Sequence, residues 1–114
     1  MGRLLESLER RGQPRVRRQL PCTLLVGGRP HRGVVRDVSA CGLFVRTAAA
    51  VPSGAKVIVS LPTPEGRHFI LATSAPHRSQ VSHTLAGLSS DGIGLRVEDP
   101  SVDFRSWVEG AAHS

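Results

Sequence analysis

The chain contains no tyrosine, one tryptophan and three phenylalanines in 114 residues. Aromatic platforms on which successive nucleic-acid bases stack are therefore scarce. Lysine is nearly missing as well, with Lys56 alone beside fourteen arginines. No apolar run approaches the roughly 18–20 residues that a membrane-spanning helix needs. The opening segment has no signal-peptide core, because Glu6 and Glu9 interrupt its apolar residues. Glu6 also stands where a myristoylation pattern requires Ser or Thr. Cysteine is limited to Cys22 and Cys41, which share no metal-type spacing and no Cys/His neighbourhood. Both are expected to be reduced, half-buried small hydrophobes. His31, His68, His77, His83 and His113 are scattered, with no His-x-x-x-His and no carboxylate companion. No metal centre, nucleophile–base pair or Ser/His/Asp arrangement emerges. The expectation is a cytoplasmic protein with no enzymatic activity, no metal and no membrane segment.

What is present is a globular composition, 39% apolar and 21% charged, in a length that suits one domain. Such a chain buries a core without disulfides or metals as staples. The net charge is +6. Because the basic residues are almost all arginine, the excess points to phosphates, carboxylates or purines. A guanidinium offers a planar fork that pairs bidentately and stacks on rings.

Residues 3–10 are consistent with a short helix carrying Leu4, Leu5 and Leu8, ended by Gly12 and Pro14. Residues 10–18 are broken and strongly basic, and read as an exposed linker. From Gln19 onward the pattern is β. Strands are expected over 20–26, 31–38, 43–45, 56–61, 68–75 and 92–97, with Gly27-Gly28 closing the first hairpin. A polar loop runs through Ser79 and His83. Asp99-Pro100-Ser101 then starts a helix in which Val102, Trp107 and Val108 share one face, with Phe104 and Ala111 near it. Phe44, Phe69, Phe104 and Trp107 are expected in the core or in helix docking. The expected architecture is all-β: a six-stranded antiparallel barrel with a C-terminal helix and a short N-terminal helix and linker. The divisions are a helix and linker over 1–18, a barrel with its helix over 19–110, and a tail over 111–114.

Two constellations carry the chemistry. Arg11-Gly12-Gln13-Pro14-Arg15 has Arg-x-x-x-Arg spacing, preceded by Arg10 and placed just before the first strand. Asp37-Val38-Ser39-Ala40-Cys41-Gly42 has Asp-x-Ser-x-x-Gly spacing, at the turn between the second and third strands. Each alone admits a plain reading. Arg32 and Arg36 repeat the arginine spacing inside a strand, and Asp37 and Ser39 can serve a turn by bonding their own backbone. A weaker third element is Asp91-Gly92-Ile93-Gly94-Leu95-Arg96-Val97.

In combination and order these motifs resemble the PilZ domain family, over about residues 10–108. The resemblance implies a six-stranded barrel that acts as a bacterial receptor for cyclic di-GMP. It assigns ligand contacts to Arg11 and Arg15, and to Asp37, Ser39 and Gly42. Arg10, immediately before the arginine motif, implies two intercalated cyclic di-GMP molecules per chain; the plain alternative is a solvated Arg10 or a pair with Glu6. Elementary chemistry agrees with the transfer. Guanine O6 and N7 match an arginine fork, and its flat face suits a guanidinium. A carboxylate such as Asp37 accepts from N1–H and the N2 amino group. Ser39 offers a compact hydroxyl, and Gly42 a turn or a close approach. A linker that closes on the ligand would be ordered by it and relay the signal to an unidentified downstream protein. A monomer or a homodimer is consistent with these features. Two alternatives stay open: a basic nucleic-acid-binding small barrel, and a PilZ-like protein-interaction scaffold without ligand. Nucleic acid is not the expected primary ligand, given so few aromatics.

Overall fold

A computed structural model describes residues 14–77 and 92–112. Six strands form a closed antiparallel barrel: β1 (Leu20–Val26), β2 (Arg29–Val38), β3 (Gly42–Arg46), β4 (Lys56–Pro62), β5 (His68–Ser74) and β6 (Gly92–Val97). Around the wall the order is β1-β2-β3-β6-β5-β4, so every strand has a hydrogen-bonded neighbour on both sides, though β5 and β6 pair only through Thr73 with Val97 and Ser74 with Arg96. The expected barrel is thus present, with β2 starting two residues earlier than its pattern indicated. The expected helix at residues 3–10 and the loop through Ser79 and His83 lie outside the described residues.

Alternation builds the wall. In β4, Val57, Val59 and Leu61 point inward and are fully buried, while Lys56 and Ile58 point out. In β1, Leu20, Cys22 and Leu24 do the same. Gly27 and Gly28 both have positive φ, 58° and 80°, and connect Val26 to Arg29 in a two-residue hairpin. Two left-handed residues in a row match the twist of the flanking strands, and glycine adopts them without a Cβ penalty. Burial pushes the Cys22 thiol up to about 11, so this cysteine behaves as a small core hydrophobe. Cys41, in contrast, is exposed.

One irregularity matters for everything outside the barrel. Val35 pairs with Val45, but the next paired residue of β2 is Asp37, opposite Phe44. Arg36 is the extra residue of a β-bulge. It inverts the phase of the strand, so that Val35 and Val38 are both buried and Asp37 faces outward.

Two expectations change. The basic stretch before β1 is not simply an exposed linker. Val16 is 2% exposed and sits in the core, bridged reciprocally to Val38 by backbone hydrogen bonds of 2.8 and 3.0 Å. A single valine among arginines has no periodicity to announce it, yet its side chain plugs the barrel wall beside β2. The helix α1 (Val102–Ala112) also has a different buried face. Phe104, Trp107 and Val108 are buried while Val102 is 70% exposed. The 3.6-residue period places 104, 107, 108 and 111 on one side and leaves 102 off it. The helix extends to Ala112, through two residues assigned above to the tail.

The helix begins with Ser101 as N-cap, its Oγ accepting from the Phe104 N–H at 3.0 Å, and Asp103 in the first turn suits the helix dipole. Phe104 and Trp107 then meet Phe69 of β5, with ring centroids 5.4 and 5.5 Å away. This aromatic trio attaches helix to barrel. Phe104→Ala is expected to cost about 3–5 kcal/mol, because a fully buried ring is replaced by a cavity. Chemical denaturation of the variant should show a lower midpoint, and an unchanged midpoint would refute the docking role.

Candidate functional site

Outside the barrel wall, at β2, β3 and β6, lies a cavity of about 830 Å³ bordered by Arg15, Asp37, Ser39, Gly42, Phe44 and Arg96 among others. That volume is within the roughly 300–1,000 Å³ of small-molecule sites. A second cavity of about 420 Å³ adjoins it, lined by Arg17, Arg18, Gln19, Arg36, Asp37 and Phe44.

The structure brings parts of the two motifs together. The Val16–Val38 bridge lays the pre-barrel segment along the end of β2, and this sets Arg15 beside Asp37. Arg15 Nη1 and Asp37 Oδ2 are 3.7 Å apart, with side chains 52% and 30% exposed. An exposed pair at that separation adds little to stability. It leaves both groups open to exchange for a ligand's phosphate or base edge. Arg10 and Arg11 lie outside the described residues.

Ser39 and Gly42 have structural duties in the same place. The Ser39 N–H donates to the Gly42 carbonyl at 2.8 Å, closing the connection around Ala40 and Cys41. Ser39 Oγ accepts from the Cys41 N–H at 3.3 Å and lies 3.5 Å from the Gly42 carbonyl. The turn reading is therefore correct for Ser39, whereas Asp37 meets Arg15. Gly42 is not left-handed. Its bareness answers to β6, since a Cβ there would come within 2.9 Å of the Leu95 carbonyl oxygen.

Phe44 and Arg96 are among the lining residues that the motifs did not single out for binding. Phe44, expected in the core, is half-buried and points outward, opposite Asp37 on one side and Gly94 on the other. Arg96 shares the outer face, opposite Gly42. The period-2 phase of β6, with Ile93, Leu95 and Val97 inward, was the available signal for Arg96. Among the described residues no cluster of three His, Cys, Asp or Glu could hold a metal ion, and no helix is long and apolar enough to cross a membrane.

Arg18 ties the segment to the turn between β4 and β5. Its Nη1 donates to Glu65 Oε2 at 2.9 Å, and its guanidinium lies over the Trp107 ring, 5.8 Å from the centroid. Glu65 Oε1 accepts from Trp107 Nε1 at 3.3 Å. Arg18 Nε and Nη2 are enclosed and have no hydrogen-bond partner among the described residues. The Arg18 hydrogen bond, then the backbone N–H of Glu65 itself and after it Trp107, hold the Glu65 carboxyl below its ordinary 4.5. A depressed folded value means stability that is present above the unfolded value and lost as pH falls through the folded one. Glu65→Gln is expected to melt below the wild type at neutral pH. The gap should narrow as the pH drops below 4.5, and a pH-independent gap in thermal melts would refute the assignment.

Comparison with known proteins places this architecture. The profile of the PilZ domain family matches residues 9–109. Among solved structures, the chain is similar to the Bacillus subtilis Inhibitor of motility (MotI/DgrA), with a TM-score of 0.61 and 14% sequence identity. The match covers 90% of this chain and 49% of that one, so the chain spans about half that protein's length and the likeness speaks for the fold. No curated protein sequence matches the chain. A family profile that runs from the arginine motif to the C-terminal helix, on a closed six-stranded barrel, makes the chain a member of the PilZ domain family.

Proposed function

We propose that the chain is a cyclic di-GMP receptor without catalytic activity, binding at the outer cavity of β2, β3 and β6. The observation that carries this reading is the meeting of Arg15 with Asp37 at the edge of that cavity. A guanidinium and a carboxylate, both accessible, match the two faces of the ligand's chemistry. The guanidinium takes guanine O6 and N7 or a phosphodiester, and the carboxylate takes guanine N1–H and N2. Ser39 and the backbone at Gly42 border the same space. Arg10 and Arg11 complete the arginine set from the N-terminal side, closing over the ligand. The relay runs through the segment that already carries Val16 and Arg18, toward Glu65 and α1. A downstream protein reads the change. The family's receptor character is why no reaction is assigned.

Calorimetry with cyclic di-GMP tests the reading. A dissociation constant of about micromolar or tighter is expected, near −8 kcal/mol. Arg15→Ala should cost on the order of 2–5 kcal/mol of binding, since it removes one partner of a charged contact. The fold should be unaffected, because the side chain is exposed. No heat from the wild type, or normal affinity in Arg15→Ala, would refute the assignment. Affinity for nucleic acid that falls steeply and linearly with log salt would point instead to the nucleic-acid alternative.

Stoichiometry is a separate expectation: two ligands per chain, held by Arg10, Arg11 and Arg15. Two stacked cyclic di-GMP molecules carry four phosphodiester charges at close range, and clustered guanidinium groups offset their repulsion. The adjoining cavity adds Arg17, Arg18 and Arg36 on the other side of Asp37. Arg10→Ala should reduce the stoichiometry from two to one, with a smaller loss of first-ligand affinity than Arg11→Ala produces. Saturation of the wild type at one ligand would refute the pair while leaving the receptor intact.

A further inference from the structure

Phe44 is the one aromatic side chain among the described residues that stands apart from the aromatic trio at α1. Phe69, Phe104 and Trp107 are buried against one another. Phe44 instead faces out from β3, half-buried, between the inward Leu43 and Val45. Among the described residues, it and Asp37 are the two that line both cavities.

Its other neighbour is harder to explain. Three glycines border this part of the wall. A Cβ at Gly42 would press on the Leu95 carbonyl, and one at Gly92 would collide with Val45 backbone, so close strand packing accounts for both. Gly94 has no such reason. A Cβ there would meet nothing within 4 Å among the described residues, and its φ is not in the left-handed region. Glycine inside a strand is unfavourable unless a bend, a bulge or a close approach calls for it. An aromatic ring facing a strand glycine often folds over it. Phe44 does not, since no atom of it lies within 4 Å of a Cβ at Gly94.

The geometry points to Phe44 as a stacking platform for a purine base, with Gly94 kept bare so that the base can lie over the ring. This inference rests on the receptor reading and specifies how the base is held. Directly opposed residues on neighbouring strands have Cβ atoms about 4.5–5.5 Å apart. A base lying flat on Phe44 therefore presents its edge to Asp37 beside it, while Gly94 leaves room on the opposite side. Stacking and edge recognition are then supplied by cross-strand neighbours, positioned by the bulge at Arg36.

The test uses the full chain, cyclic di-GMP, and the variants Phe44→Leu, Phe44→Trp and Gly94→Val. Loss of one base–aromatic stack corresponds to about 5- to 150-fold in affinity. Phe44→Leu should weaken binding within that range, and Phe44→Trp should restore it. Gly94→Val should weaken binding at least tenfold while melting no lower than the wild type, because a β-branched side chain suits a strand with open space above it. Proton NMR of the bound ligand should show guanine H8 moved upfield by the wild type, and much less by Phe44→Leu. Wild-type binding with an unshifted H8, or with wild-type affinity in both Phe44→Leu and Gly94→Val, overturns the stacking platform alone. No binding by the wild type overturns the receptor reading and this inference with it.

Discussion

Arg36 and Asp37 together oppose a single residue of β3, Phe44. The side-chain period of a strand is two, so an unbroken β2 would put Asp37 on the same face as Val35, inside the barrel. A carboxylate buried there without a partner would be strongly destabilising. The bulge inverts the phase, sends Asp37 outward and returns Val38 to the core. Val38 then offers its backbone to Val16, and the Val16 bridge carries Arg15 to Asp37. The outer cavity, the arginine–carboxylate pair and the docking of the pre-barrel segment all follow from one extra residue in one strand.

The barrel was largely legible because its strands alternate and its turns carry glycine and proline at the right places. Gly27-Gly28 and Lys56 to Leu61 are clear instances: a turn that demands left-handed residues, and a strand with apolar side chains at every second position. The misread residues share a cause. Phe44 sits in the apolar run Leu43-Phe44-Val45, where three hydrophobic neighbours conceal which face is inward. Only the pairing with β2 and β6 settles the phase. Val16 lies among arginines, and one buried residue generates no period. Val102 is apolar at the start of a helix whose buried side is set by Phe104 and Trp107 meeting Phe69. Local pattern locates elements well, but phase and docking depend on partners far along the chain.

The second motif shows why a turn reading and a binding reading need not compete. Ser39 and Gly42 close the β2–β3 connection through backbone and hydroxyl contacts, and Gly42 lets β6 approach. Asp37, two residues before Ser39, is aimed at the cavity by the bulge rather than by the turn. Spacing alone could not separate these duties. A substitution at Ser39 or Gly42 acts on the frame as well as on the site, whereas Arg15 and Asp37 meet at the surface.

The docked segment also bears on the energetics of any ligand that closes the N-terminal arginines over the cavity. Fixing one residue's backbone costs roughly 1–2 kcal/mol. Residues 14–19 already have their place, through Val16 in the core and Arg18 on Glu65. A ligand that recruits Arg10 and Arg11 therefore meets no ordering cost at residues 14–19, which leaves more of the contact energy for affinity. The same anchoring connects the segment to α1. Arg18 lines the smaller cavity and also bonds the carboxylate that Trp107 donates to. A ligand that drew Arg18 away from Glu65 would shift the environment of α1 only by the difference in its affinity for the chain with and without that contact. Any coupling from site to helix along this path would thus be bounded by what one guanidinium gains in exchanging Glu65 for an anion.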